Sequence, residues 1–307
     1  MGVLLTLVLM VLGAGVGVES ERRRPKEAVA LARKLLLVML YVLVPPVIFF
    51  NLAAASISVD NAVGIGIALV NTALIGTVVW FVSARLLRLS PPQTGAVICG
   101  ALVANTTYLG YPLTVALLGR DHLADGVLFD VLVGGTTLML GAFGVGAAFG
   151  TKAGEGMGDR VRTFFTRNPP LYAAVAGLLA PSVLAPQILV DASQVLAVAI
   201  LPLGFFAVGA TLAEGAEQGE LPLPPPITAP VAVATIGRLA LAPALLMLLA
   251  APLIELPSAY RLMSAMPTGI NALVVSHAYG LNNRIVAETI TWSTAIVIVA
   301  ALMSLAF

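Results

Sequence analysis

Asn105-Thr106-Thr107-Tyr108-Leu109-Gly110-Tyr111-Pro112 and Met266-Pro267-Thr268-Gly269-Ile270-Asn271 are uncharged stretches, one in each half of the chain, set inside apolar runs. Proline removes an amide donor and glycine loosens the backbone. A lipid-spanning helix carrying both tolerates them only where protein or water satisfies the freed groups. Both stretches therefore read as membrane helices broken near the middle. Such breaks in corresponding positions of two halves are a sequence pointer to a carrier's substrate site.

The surrounding composition requires a bilayer. Of 307 residues, 59% are hydrophobic and 10% charged, and the mean hydropathy of +1.02 exceeds what a soluble core hides. Sixteen basic and fifteen acidic side chains leave a net charge of +1, too little to recruit nucleic acid. The single cysteine, Cys99, rules out an internal disulfide and reads as a packing thiol in its apolar surroundings.

A helical span needs about 20 mostly apolar residues, and charged punctuation divides the chain into ten. The expected spans are 3–18, 31–55, 62–84, 94–118, 126–149, 169–186, 191–213, 228–253, 258–281 and 285–306. The first is read as a span and not a secretory signal, because its basic residues follow the apolar run. Arg22, Arg23, Arg24, Lys26, Arg33 and Lys34 place the first loop in the cytoplasm. The loops bearing Arg85 and Arg88, and Lys152, Arg160, Arg162 and Arg167, then fall on the same side. This predicts a multi-pass protein of a cell (plasma or inner) membrane with its N-terminus outside. The acidic loop with Glu214, Glu217 and Glu220 also falls inside, since acidic residues weigh little in this rule. The adjoining Leu221-Pro222-Leu223-Pro224-Pro225-Pro226 reads as a stiff interfacial spacer.

Five spans, a cytoplasmic crossover and five more make the halves enter the membrane from opposite sides. The expected fold is all-α integral membrane: ten transmembrane helices as two inverted five-helix repeats, 1–149 and 169–307, joined by a linker at 150–168, with crossing helices four and nine broken. A trace of the repeat survives in Pro46-Val47-Ile48-Phe49-Phe50 against Pro202-Leu203-Gly204-Phe205-Phe206, and in Asp130 against Glu288.

Broken helices leave free N-termini with unpaired amide donors and partial positive charge at the membrane midplane. Two of them facing each other would bind an anion without a charged side chain, with Asn105 and Asn271 adding amide donors. Arg238 lies well inside span eight, where a charge needs a partner. The candidates are an anionic substrate, Asp130 or Glu288, with snorkelling to the surface as the other reading. Asp130 and Glu288 are placed in the first turns of their helices and are candidates for charge pairing or proton coupling. His277, near the end of span nine, is a further titratable candidate. No catalytic motif or metal-ligand spacing is present, so no enzyme activity, cofactor or metal site is expected.

Four motifs carry a resemblance over nearly the whole chain. They are Ala104 to Leu113 in span four, Arg167-Asn168-Pro169-Pro170 at span six, Arg238-Leu239 with Pro243 in span eight, and Ala265-Met266-Pro267 with Asn271 in span nine. In this order they resemble the auxin efflux carrier family, bacterial relatives of the plant PIN proteins, and more distantly the bile-acid:sodium symporters. The resemblance implies a scaffold of spans 1, 2, 6 and 7, often dimeric, and a moving transport domain of spans 3–5 and 8–10. It also implies a small organic anion such as a carboxylate or auxin-like compound as substrate, carried by an elevator-type motion. The long central loop of the plant proteins is missing here. Carried over to this chain, the substrate site comprises Asn105, Thr106, Tyr108, Pro112, Pro267, Thr268, Gly269 and Asn271. The energy source stays open between H+ coupling, Na+ coupling and uniport. The rival readings are a sodium-coupled bile-acid-type symporter, a non-transporting membrane receptor and a channel.

Overall fold

The computed structural model describes residues 3–152, 162, 166, 168–217 and 225–303. Arg160, Arg167, Glu220, residues 221–224 of the proline run and most of the expected linker lie outside the described residues. The described chain is all-helical, without a strand. Its helices are α1 (Val3–Arg23), α2 (Glu27–Ala53), α3 (Val59–Leu86), α4 (Pro91–Leu102), α5 (106–117), α6 (Arg120–Phe149), α7 (Pro169–Leu179), α8 (Gln187–Glu217), α9 (Ala229–Ala250), α10 (Ser258–Ser264), α11 (Asn271–Tyr279) and α12 (Asn283–Met303). Seven of them, α1, α2, α3, α6, α8, α9 and α12, are long and apolar enough to cross a membrane. They leave large apolar side chains such as Leu12, Val42, Ile188 and Leu248 exposed, as a lipid-facing surface requires.

Polar residues mark the helix starts. The Ser58 amide donates to Asn61 Oδ1 at 2.9 Å and Ser58 Oγ accepts from the Asn61 amide at 3.2 Å, closing a capping box on α3. Asn168 Oδ1 accepts from the Leu171 amide at 3.3 Å and opens α7 just before Pro169 and Pro170. Pro181 follows the end of α7, so this helix has only 11 residues where the sequence suggested a span over 169–186.

Three prolines inside apolar helices each follow a wide turn. In 39–43, 106–110 and 237–241 the hydrogen bonds run from residue i to i−5: Val44 to Met39, Tyr111 to Thr106 and Ala242 to Gly237. Pro45, Pro112 and Pro243 come directly after these bonds. A proline ring collides with the carbonyl four residues back and offers no donor to it, and the widened turn relieves both problems.

Packing gathers the helices into two groups. Among the described residues the most extensive helix contact joins α1 to α8; α8 also meets α2, and α2 packs on α7. In the other group α4 is central, surrounded by α3, α6, α9, α11 and α12. The first group touches the second where α5 lies against α8 and α1, where α6 meets α2, and where α12 meets α1. Small residues bring α1 and α8 together. A Cβ on Gly13 would stand 2.9 Å from the Pro202 Cα, and one on Gly209 would stand 3.0 Å from the Ala14 Cα. Gly15, on the same helix, has open space at that position. Gly13→Val is therefore expected to destabilise the purified protein by about 1–3 kcal/mol, as overpacking does. Gly15→Val serves as the control and should leave the melting temperature within a degree or two of the parent, about what a surface change allows.

Candidate functional site

The chain leaves helical geometry after Leu102 and re-enters it at Thr106; in the other half it leaves after Ser264 and re-enters at Asn271. The two interruptions meet. The Asn105 amide donates to Pro267 O at 2.8 Å and the Gly269 amide to Val103 O at 2.9 Å, an antiparallel bridge centred on Ala104 and Thr268. Thr268 anchors it from both sides. Its hydroxyl donates to Gly100 O at 2.7 Å and its amide to Ser293 Oγ on α12 at 3.1 Å. Backbone groups freed by the breaks thus satisfy one another, as they must where water is scarce. Gly269 is needed for the close approach, since a Cβ there would lie 2.9 Å from Ala104 O. The interruption falls at Val103–Asn105, ahead of the Gly110–Pro112 signal, because the wide turn at 106–110 accommodates that proline inside α5.

Arg238, 7% exposed on α9, reaches the crossing from the side. Its Nη1 donates to Ala101 O at 3.3 Å and Leu102 O at 3.1 Å, and its Nη2 donates to Ser264 O. These carbonyls are the last ones of α4 and α10, the negative ends of both helices. The expected pairing with Asp130 or Glu288 is therefore corrected: Arg238 pairs with backbone, forms no salt bridge among the described residues and does not snorkel. Its Nε has no partner, nor does Asn71 Oδ1, and both residues line a cavity of about 30 Å³ with Thr106 and Ser264. That space suits about one water molecule between a donor and an acceptor.

Asp130 sits against the first turn of α5. Its Oδ1 accepts from the Thr106 hydroxyl, and its Oδ2 accepts from Thr107 Oγ1 at 2.7 Å and Tyr111 Oη at 2.6 Å. The sequence reading placed Asp130 in the first turn of its own helix. That too is corrected: α6 starts at Arg120, so Asp130 lies mid-helix, on a wide turn at Asp130–Gly134, and faces the N-terminus of α5 instead. A cavity of about 140 Å³ opens beside it. Leu40 and Val44 of α2 and Asn168 and Leu171 at the start of α7 wall one side; Thr106, Tyr108, Asp130 and Asn271 wall the other.

Of the expected site residues, Thr106, Tyr108 and Asn271 line this cavity, together with Asp130. Asn105, Pro267, Thr268 and Gly269 are buried in the crossing and hold its backbone, whereas Pro112 is buried inside α5. Glu288 is buried on α12 and accepts from Arg284 Nε at 2.8 Å, away from both cavities. His277 is exposed in the last turns of α11, with Nδ1 3.0 Å from Leu273 O, and Lys152 Nζ donates to the His277 carbonyl at 3.0 Å. The sequence reading did not single out Thr107, Tyr111 or Asn168. Thr107 and Tyr111 stood inside the quoted motif, and Asn168 before two prolines was legible as a cap.

Residues 161–305 match the family described as membrane transport protein. An uncharacterized transporter of Methanothermobacter thermautotrophicus is 29% identical over 143 residues, 46% of this chain and 45% of that protein. The match thus spans about half the length of that relative. An uncharacterized transporter of Methanocaldococcus jannaschii is 21% identical over 229 residues, 72% of this chain and 70% of that protein. With the helices described above, these matches support a multi-pass membrane protein similar to membrane transport proteins. Gly269→Val should wedge the bridge apart and lower the melting temperature by roughly 3 °C or more, the shift that about 1 kcal/mol produces at this size. Differential scanning fluorimetry on detergent-purified protein measures it.

Proposed function

We propose that this chain, as an auxin efflux carrier family transporter, moves a small organic anion through the cavity between Asn271 and Asp130. The observation that supports the reading most is the location of that cavity. It lies at the crossing of two interrupted helices, between the α2/α7 wall and the α5/α6/α11 wall, where secondary carriers place their substrates. Thr106 and Asn271 begin α5 and α11, so both helix starts, with their partial positive charge, face it. The remaining lining is mostly apolar, with Leu40, Val44, Val103, Leu138 and Met139, which suits the hydrocarbon part of a small carboxylate.

In this reading 1–149 and 169–307 are inverted repeats. The group of α1, α2, α7 and α8 is a scaffold, with homodimerisation through it, and the remaining helices slide past it to alternate access. The surface that slides includes Tyr108, packed so closely on α8 that a Cβ on Gly204 would stand 2.8 Å from the Tyr108 Cβ. Asp130 is the carboxylate on the cavity, which makes it the candidate for carrying a proton with the anion; Glu288, paired with Arg284, is not. An anion beside an ionised Asp130 meets like charge, and a proton taken up with it removes the repulsion.

Proteoliposome uptake under imposed pH and voltage gradients tests this. Asn271→Ala, on the cavity lining, is expected to cut anion uptake at least about tenfold, the ratio that 1.4 kcal/mol gives; unchanged uptake would remove the site from this cavity. Asp130→Asn is expected to leave anion exchange measurable while abolishing the proton movement that accompanies uptake. A flux far above carrier turnover would point to a channel instead.

A further inference from the structure

The C-terminal end of a helix leaves up to four carbonyls without a helical partner and carries about half a negative charge. At the crossing two such ends, those of α4 and α10, converge on one spot, which amounts to about one negative charge deep in the protein. In secondary carriers, unwound carbonyls and half-helix C-termini are where a coupling sodium ion is coordinated. Here the spot is filled from within. The Arg238 guanidinium donates to Ala101 O, Leu102 O and Ser264 O, supplying one positive charge against the two helix ends with no carboxylate partner among the described residues.

We propose that Arg238 is a resident cation at the helix crossing, standing where a coupling sodium would bind, so that the crossing is complete without sodium and this carrier does not use it. The oxygens that would ligate an ion are already accepting guanidinium protons. Removing the side chain would expose those three carbonyls, with Asn71 Oδ1, otherwise unpartnered, on the same small cavity. Four oxygens of that kind suit a hard monovalent cation far better than an apolar void. The transport consequence rests on the carrier reading, whereas the cation site itself is testable on purified protein without any substrate.

The melting temperature of the full chain in detergent is measured in sodium chloride and in choline chloride at equal ionic strength. The parent protein is expected to melt at the same temperature in both. Arg238→Ala is expected to melt roughly 5 °C or more lower, since it leaves buried carbonyls unpaired, and to regain part of the loss in millimolar guanidinium or in sodium relative to choline. Arg238→Lys, which keeps the charge with fewer donors, should fall between the two. A parent protein stabilised by sodium over choline would overturn the proposal. So would an Arg238→Ala protein as stable as the parent, or one that neither cation rescues. If Arg238→Ala does not fold, a folded Arg238→Lys together with a sodium-indifferent parent upholds the proposal, and a sodium-stabilised parent or an equally unfolded Arg238→Lys overturns it. Failure of the anion assay would leave these melting results unchanged, so the two readings fall separately.

Discussion

An interrupted helix inside a bilayer has to find partners for backbone groups that its own turns no longer satisfy, and the organisation of the second helix group follows from this constraint. Two interruptions side by side solve part of it by pairing: Asn105 with Pro267, and Gly269 with Val103. The bridge is short, so it satisfies only the middle of each break. The helix ends on either side still carry charge, negative at Leu102 and Ser264, positive at Thr106 and Asn271. Arg238 answers the negative pair and Asp130 answers one of the positive pair. Among the described residues the start of α11 has no such side-chain anion, and it opens on the cavity of about 140 Å³ through Asn271.

Arg238 and Asp130 are therefore not one ion pair, although a sequence reading pairs them naturally. Each interacts with the oppositely signed end of a helix, which keeps them apart on α9 and α6. A direct pair would stabilise the side chains and leave the helix ends exposed. The observed arrangement gives each end a formal charge without consuming the other's. Breaking a buried arrangement of this kind costs more than forming it gains, because the group left behind is desolvated and unpaired.

Composition made the membrane assignment, and the proline and glycine breaks placed both interruptions within a few residues. The errors have definite causes. Sequence put the first break within Asn105–Pro112, yet a wide turn absorbs Pro112 and the chain opens at Val103–Asn105; the apolar Val103 gives no sign of it. The partners of Arg238 are carbonyl oxygens, which every residue has, so no letter in the sequence marks them. Asp130 appeared to start a helix because the polar stretch around Arg120–Asp125 resembled a loop, whereas those residues form the first turns of α6. Asn105 was legible as important, but its backbone at the bridge is what the structure engages.

On the proposed carrier reading, with Arg238 committed to carbonyls and Asp130 to three hydroxyls, the cavity offers a cargo mainly neutral dipoles: the start of α11 and the side chains of Tyr108, Asn168 and Asn271. Recognition by dipoles favours negative charge without the desolvation cost of burying a bare cation against it, and it holds the cargo less tightly than a buried arginine would. A carrier needs that moderation, because its site has to release on the far side what it bound on the near side. On this reading the resident arginine stabilises the crossing, and a proton on Asp130 leaves the site itself nearly uncharged when the cargo binds.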